Sequence, residues 1–173
     1  SEMCIRDRYC IYKKNNNTGE IYVRKIVEGG STVSYQDDGL YPGESQYYRI
    51  AAYKELSENK VLGDYTELTT YTIPMYVDGF RVENKTDKAI RVAWNQIEGI
   101  SGYKVERKLS KDSSYKVIAT VSGSNNLQFV DRNLTSGAKY NYRIRTYKNI
   151  NGSTVYSAYK SITGSTFSQT DIN

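Results

Sequence analysis

An all-β sandwich is the fold class this sequence predicts, and three observations carry it. Ala89–Trp94 and Gly102–Arg107 both alternate apolar and polar residues, the period of a strand with one buried face. The only tryptophan closes the first run, and Tyr103 stands near the start of the second, across a loop from Asn95 to Ser101. An indole so placed lies between two sheets. The composition agrees: 18 tyrosines against 3 phenylalanines, two prolines and a hydrophobic fraction of 38% suit strands joined by polar turns. Tyrosine can bury its ring while its hydroxyl reaches water or a backbone carbonyl.

The chain also repeats itself without a gap. Tyr9 matches Tyr103, Ile11 matches Val105, and Lys14 matches Lys108. Tyr35, Asp37, Leu40 and Gly43 match Phe129, Asp131, Leu134 and Gly137. Tyr48-Arg49-Ile50 matches Tyr142-Arg143-Ile144, Tyr53-Lys54 matches Tyr147-Lys148, and Tyr65 matches Tyr159. Every pair has the same offset, 103 − 9 = 94. The chain is therefore two copies of one domain, each with its linker.

The run Leu134-Thr135-Ser136-Gly137-Ala138-Lys139-Tyr140-Asn141-Tyr142, with the two alternating runs above, resembles the fibronectin type III domain in the form common in bacterial surface and secreted proteins. The resemblance implies that Tyr140, six residues after Leu134, returns its hydroxyl to the backbone of the corner between strands E and F. Such a bond satisfies the turn's polar groups and caps the core. Copy one keeps Leu40-Tyr41-Pro42-Gly43 but carries Gln46 at the corner position, a departure from the pattern.

Taken in order, residues 1–8 (Ser-Glu-Met-Cys-Ile-Arg-Asp-Arg) look like the in-frame translation of a sequencing-library adapter. They are expected to make no packing contacts. On that reading the chain is a metagenomic fragment, its first copy truncated at residues 9–72 so that only strands C to G remain. These are Tyr9–Lys14 (C), about Ile21–Val27 (C′), Val33–Asp37 (E), Gln46–Tyr53 (F) and about Leu62–Thr70 (G). Residues 73–78 form a linker, with Pro74 blocking strand continuation.

Copy two, residues 79–164, is expected to be complete. Strand A holds Gly79–Glu83, and a turn rich in Asn and Asp follows at Asn84–Lys88. Strand B ends at Trp94, C spans Tyr103–Lys108, C′ Tyr115–Val121, E Leu127–Asp131, F Tyr140–Tyr147 and G about Val155–Thr163. Asn151-Gly152 is a two-residue hairpin signal, because both residues tolerate positive φ. Residues 165–173 read as a linker or tail. The core is assigned to Trp94, Tyr103, Val105, Leu134, Tyr140, Tyr142 and Ile144.

The chemistry available narrows the function. With no histidine, the commonest general base and metal ligand is missing, and a Ser–His triad with it. No Ser-Xaa-Xaa-Lys, nucleophile elbow or glycine-rich phosphate loop occurs. The two cysteines, Cys4 and Cys10, make neither a disulfide framework nor a CxxC metal site. The sequence therefore implies no catalytic residue, no cofactor and no metal. Asp37 and Asp131 are assigned to hydrogen bonding within the E–F turn. No apolar run approaches the ~20 residues of a membrane helix. The net charge of +5 comes from 24 basic and 19 acidic residues, a mixed surface with no nucleic-acid footprint. No Arg-Gly-Asp tripeptide stands between strands F and G.

Strand parity leaves one face for binding. If Tyr140, Tyr142 and Ile144 point inward, Arg143, Arg145 and Tyr147 point outward with Lys104 and Glu106, and Tyr12, Tyr47, Arg49 and Tyr53 do so in copy one. The expected function is a non-catalytic spacer or adhesion module of a bacterial extracellular protein, whose partners are its neighbouring domains. The alternative is a carbohydrate or cell-wall polymer bound on this outer C–F–G face by ring stacking.

Overall fold

The structure, a computed structural model, describes residues 8–29, 31, 32, 34–56, 59–168 and 170. The chain divides into two compact units, Ser1–Thr72 and Ile73–Asn173.

Unit 1 contains β1 (Arg8–Lys14), β2 (Ile21–Glu28), β3 (Ser45–Leu56), β4 (Asn59–Leu62) and β5 (Thr66–Tyr71). They form one antiparallel sheet in the order β2-β1-β3, with β4 and β5 pairing successive stretches of β3. The expected single strand G is thus broken at Gly63–Tyr65, where the Gly63 amide bonds the Ala52 carbonyl. The strand that begins this unit starts at Arg8, one residue before the expected boundary. Arg8 pairs with Tyr53 and Glu28 and its guanidinium bonds Glu55, so it packs against the unit, contrary to the expectation for residues 1–8. The other seven residues of that stretch, Cys4 among them, lie outside the described residues. Cys10 is free and buried.

The expected strand E of copy one does not form. Ser34–Asp37 carries no strand, and Val33 lies outside the described residues. The reason is visible in unit 2, where the matching strand takes its ladder bonds from a neighbour that no described segment of unit 1 supplies. A backbone without a partner strand has no ladder to join.

Unit 2 has two sheets. β6 (Arg81–Lys85), β7 (Ile90–Ala93) and β10 (Gln128–Asp131) form a three-stranded sheet in the order β10-β7-β6. The other contains β8 (Gly102–Leu109), β9 (Lys116–Ser122), β11 (Lys139–Ile150), β12 (Ser153–Tyr156) and β13 (Lys160–Ser165), in the order β9-β8-β11, with β12 and β13 both on β11. The 12-residue β11 runs past the expected end at Tyr147 because its last four residues pair with β12 across the Asn151–Gly152 turn. Both turn residues have positive φ, 49° and 80°, which fits a two-residue hairpin of the twist that flanking strands require.

Between the sheets lies the core. Trp94, Tyr103, Val105, Leu134, Tyr140, Tyr142 and Ile144 are all buried there, together with Val77, Ile90 and Val92. The indole packs 5.2 Å from the Tyr103 ring and 6.4 Å from Phe80. Tyr103 keeps its hydroxyl at the rim, accepting from the Ile97 amide and donating to the Ser124 carbonyl. Val77 seats the entering chain, and the Thr146 hydroxyl holds it by donating to the Met75 carbonyl at 2.7 Å. Among the described residues no helix is long and apolar enough to cross a membrane.

Candidate functional site

Polar side chains gather at the corner before β11, around the carboxylates of Asp131 and Asp37, and on the outer face of the β11 sheet. At the corner, the Thr135 amide donates to the Tyr140 hydroxyl at 2.9 Å, the bond the resemblance implied. A second clamp was not foreseen. The Thr166 hydroxyl donates to the Thr135 carbonyl at 2.7 Å and accepts from the Ala138 amide at 3.0 Å. Copy one, with buried Gln46 at the tyrosine position, keeps this clamp: Thr72 bonds the Tyr41 carbonyl at 2.6 Å and the Glu44 amide at 2.9 Å. The two threonines obey the repeat offset, 166 − 72 = 94, so the repeat scan could have found them. Gly43 and Gly137 hold φ of 69° and 67° at the corner, a conformation that favours glycine.

The assignment of Asp37 and Asp131 to the turn needs correction. Asp131 is buried and accepts from Arg107 Nη1 at 2.7 and 2.8 Å and from the Tyr142 hydroxyl at 2.8 Å. Asp37 accepts from Lys13 at 3.0 Å, Arg24 at 2.6 Å and the Tyr48 hydroxyl at 2.6 Å. Each carboxylate therefore ties its segment to the five-stranded sheet of its unit, whose side chains supply two donors to Asp131 and three to Asp37. Burial raises the Asp37 carboxyl, but the Tyr48, Lys13 and Arg24 donors outweigh it and hold the group at about 2. Burial and then the Asp131 bond push the Tyr142 hydroxyl above its ordinary range.

On the outer face of unit 2, Arg143 lies opposite Glu106 in the β11–β8 register. Its Nε and Nη2 donate to the carboxylate at 2.7 and 2.6 Å, and the Tyr159 hydroxyl donates to the same group at 2.8 Å. Burial raises the Glu106 pKa, but the Tyr159 and Arg143 bonds lower it further than burial raises it. The cations and rings then stack in a row. Arg143 sits between Tyr115, at 4.2 Å, and Tyr159, at 4.0 Å. Arg145 sits between Tyr159, at 4.6 Å, and Tyr156, at 3.8 Å, and Lys104 lies 5.3 Å from the Tyr156 ring. Each such contact contributes about 0.5–1 kcal/mol at the surface and ~2 when desolvated.

Tyr156 and Tyr159 are three apart, and regular strand alternation would put them on opposite faces. The break at Ser157 brings them to one. Its amide bonds the Thr146 carbonyl at 3.1 Å while its hydroxyl accepts from the Thr146 amide at 3.0 Å, so the chain turns there before pairing resumes. Parity reasoning therefore found Arg143 and Arg145 on the uninterrupted β11 and missed Tyr115, Tyr156 and Tyr159. A pair of tyrosines flanking Ser157 beside Arg143 and Arg145 is the signal that could have found them.

The other expected face residues are only partly available. Tyr147 is half-buried over Gly102, where a Cβ would stand 2.8 Å from its hydroxyl. In unit 1, Tyr53 is on the expected side but buried, covered by Arg8 and Lys60 at 6.0 and 5.6 Å from its ring. Arg49 bonds the Tyr47 hydroxyl and Glu67 and stacks on Tyr47 and Tyr65. Tyr12 meets Tyr65 edge-on, at 5.6 Å and 72°. A flat aromatic row does not result. Among the described residues no group of three or more His, Cys, Asp or Glu side chains could hold a metal ion.

A family model, "Fibronectin type III domain SaeA third domain", matches residues 77–163, half of the chain. A search of curated proteins finds no match. Among solved structures, a two-domain fibronectin type III segment from chicken tenascin is 20% identical with a TM-score of 0.55, covering 93% of this chain and 84% of that one. A β-sandwich protein from a computer-based redesign is 22% identical with a TM-score of 0.48, covering 56% of this chain and 93% of that one. The sandwich in unit 2, its tyrosine-clamped corner and the extent of the family match lead to one conclusion: the chain belongs to the fibronectin type III family.

Proposed function

We propose that this chain is a non-catalytic spacer module of a bacterial extracellular multidomain protein, whose partners are the domains beside it. Domains of this fold act as structural or binding modules, are typically non-catalytic and are commonly extracellular. The observation that carries the spacer reading is the stacked row on unit 2. Arg143 lies against the rings of Tyr115 and Tyr159, and Arg145 against those of Tyr159 and Tyr156, so the rings a sugar would stack on are engaged within the domain. A face whose rings and cations engage one another in this way stiffens the sheet, and Arg145 Nε is the buried donor on it without a hydrogen-bond partner among the described residues.

The test is a titration of the full chain with a panel of plant and cell-wall glycans, read by tryptophan and tyrosine fluorescence and by calorimetry. No saturable signal is expected. A saturable signal that disappears in Tyr147→Ala or Arg145→Ala would overturn the spacer reading in favour of polymer binding on the outer face.

A further inference from the structure

We infer that the inner face of the unit 1 sheet is an acceptor site for a peptide β-hairpin whose inward residues follow the β6–β7 pattern. The repeat supplies the comparison. Tyr9, Ile11, Tyr48 and Ile50 stand 94 residues before Tyr103, Val105, Tyr142 and Ile144. The latter four are fully buried in a core they share with Ile90, Val92 and Trp94 of the β7 segment. In unit 1 the former four line an open, largely apolar cavity of about 580 Å³ with Leu68 and Tyr35; Ile11 and Tyr48 are already buried there, while Tyr9 and Ile50 are half-buried and the uncovered area lies over them and Leu68. Leu68 is 51% exposed, whereas its counterpart Ile162 packs against the unit 2 core.

A second feature of the same place identifies the class of occupant. Ser34–Asp37 corresponds to β10 (128 − 94 = 34), whose four residues all pair with β7. In unit 1 this stretch has no ladder. An apolar face beside backbone that has no ladder partner among the described residues calls for a ligand that brings both apolar side chains and a hydrogen-bonding edge. A β-strand does both, and a lipid or a glycan does not.

The cavity also sets a size rule. Thr70 lines it where unit 2 has Gly164. A Cβ at Gly164 would fall 2.9 Å from Val82 Cγ2 and 3.4 Å from Ile90 Cδ1. The hairpin that fits unit 1 therefore carries a residue smaller than valine at the Val82 position.

The experiment places a copy of residues 76–102, carrying Val82→Ala, ahead of Tyr9 in the full chain, so that Tyr9 follows it as Tyr103 follows Gly102. Amide exchange at Ser34–Asp37 should slow by at least about tenfold, the mark of a newly formed ladder. The inserted tryptophan should become as shielded from acrylamide as Trp94, which is 1% exposed. A control insert with serine at the Ile90, Val92 and Trp94 positions should do neither. Unchanged exchange with the patterned insert, or equal slowing with the control, would overturn the proposal. Equal slowing by an insert that keeps Val82 would overturn the size rule.

Discussion

Replacing Asp131 with alanine tests how unit 2 joins its two sheets. Asp131 ends β10 in the three-stranded sheet, and its partners Arg107 and Tyr142 stand on β8 and β11 in the other. The Arg107 side chain is 29% exposed, so water replaces much of what it loses, and its share is discounted to about 1 kcal/mol. Tyr142 is fully buried, and its hydroxyl left without an acceptor costs about 1–3 kcal/mol. The expected loss is about 2–4 kcal/mol. Tyr142→Phe removes only one bond and leaves Asp131 paired with Arg107, so it should cost about 0.5–1.5 kcal/mol. Because the single tryptophan lies in unit 2, urea unfolding followed by Trp94 fluorescence reports this unit alone. A double-mutant cycle gives the coupling, expected at about 0.5–3 kcal/mol for groups in direct contact. If Asp131→Ala cost less than Tyr142→Phe, or less than about 1 kcal/mol, the cross-sheet bond would not be a principal fastening.

Three further outcomes are expected. Trp94→Ala should destabilise unit 2 by about 3–5 kcal/mol in denaturation followed by circular dichroism, and Tyr140→Phe by about 0.5–1.5; the reverse order would misplace the core centre. The Asp37 carboxyl should titrate near 2 by NMR. Since its folded pKa lies below the ordinary 3.8, its contribution is present above about pH 4 and lost as pH falls through 2, and a midpoint at or above 3.8 would refute the three-donor geometry. Tyr142 has the opposite sign: its folded pKa is raised above 10.0, so its contribution is present below pH 10 and lost as pH rises beyond, and Tyr142→Phe should flatten that alkaline loss.

Much of unit 2 was legible in the sequence because its two central strands, β8 and β11, pair residue for residue from Gly102 to Leu109. Alternation in β8 and β11 placed Tyr103, Val105, Tyr142 and Ile144 inside, and the corner motif gave Leu134 and Tyr140. Alternation fails where a chain kinks, since one irregular residue changes which side the following side chains face. Tyr156 and Tyr159 flank such a kink at Ser157, and Tyr115 lies just before β9, outside any strand. The stacked row is built largely from these residues, which explains why its arginines were expected on that face and its tyrosines were not.

Copy one separates two properties that the repeat alone joins. Tyr35 and Asp37 match Phe129 and Asp131, and the match transferred both a strand and a polar role. Only the role is present. The strand depends on backbone bonds to a neighbour, which β7 provides in unit 2 and no described segment provides in unit 1. The role depends on side chains of the larger sheet, and that sheet is in place: Lys13 and Tyr48 reach Asp37 from β1 and β3, as Arg107 and Tyr142 reach Asp131 from β8 and β11. Arg24, where copy two has Ile118, adds a third donor from β2. A buried carboxylate with three donors holds the Asp37 end of the segment against the sheet. Among the described residues its backbone edge at Ser34–Asp37 has no ladder partner beside the apolar face, which is the geometry a docking strand needs.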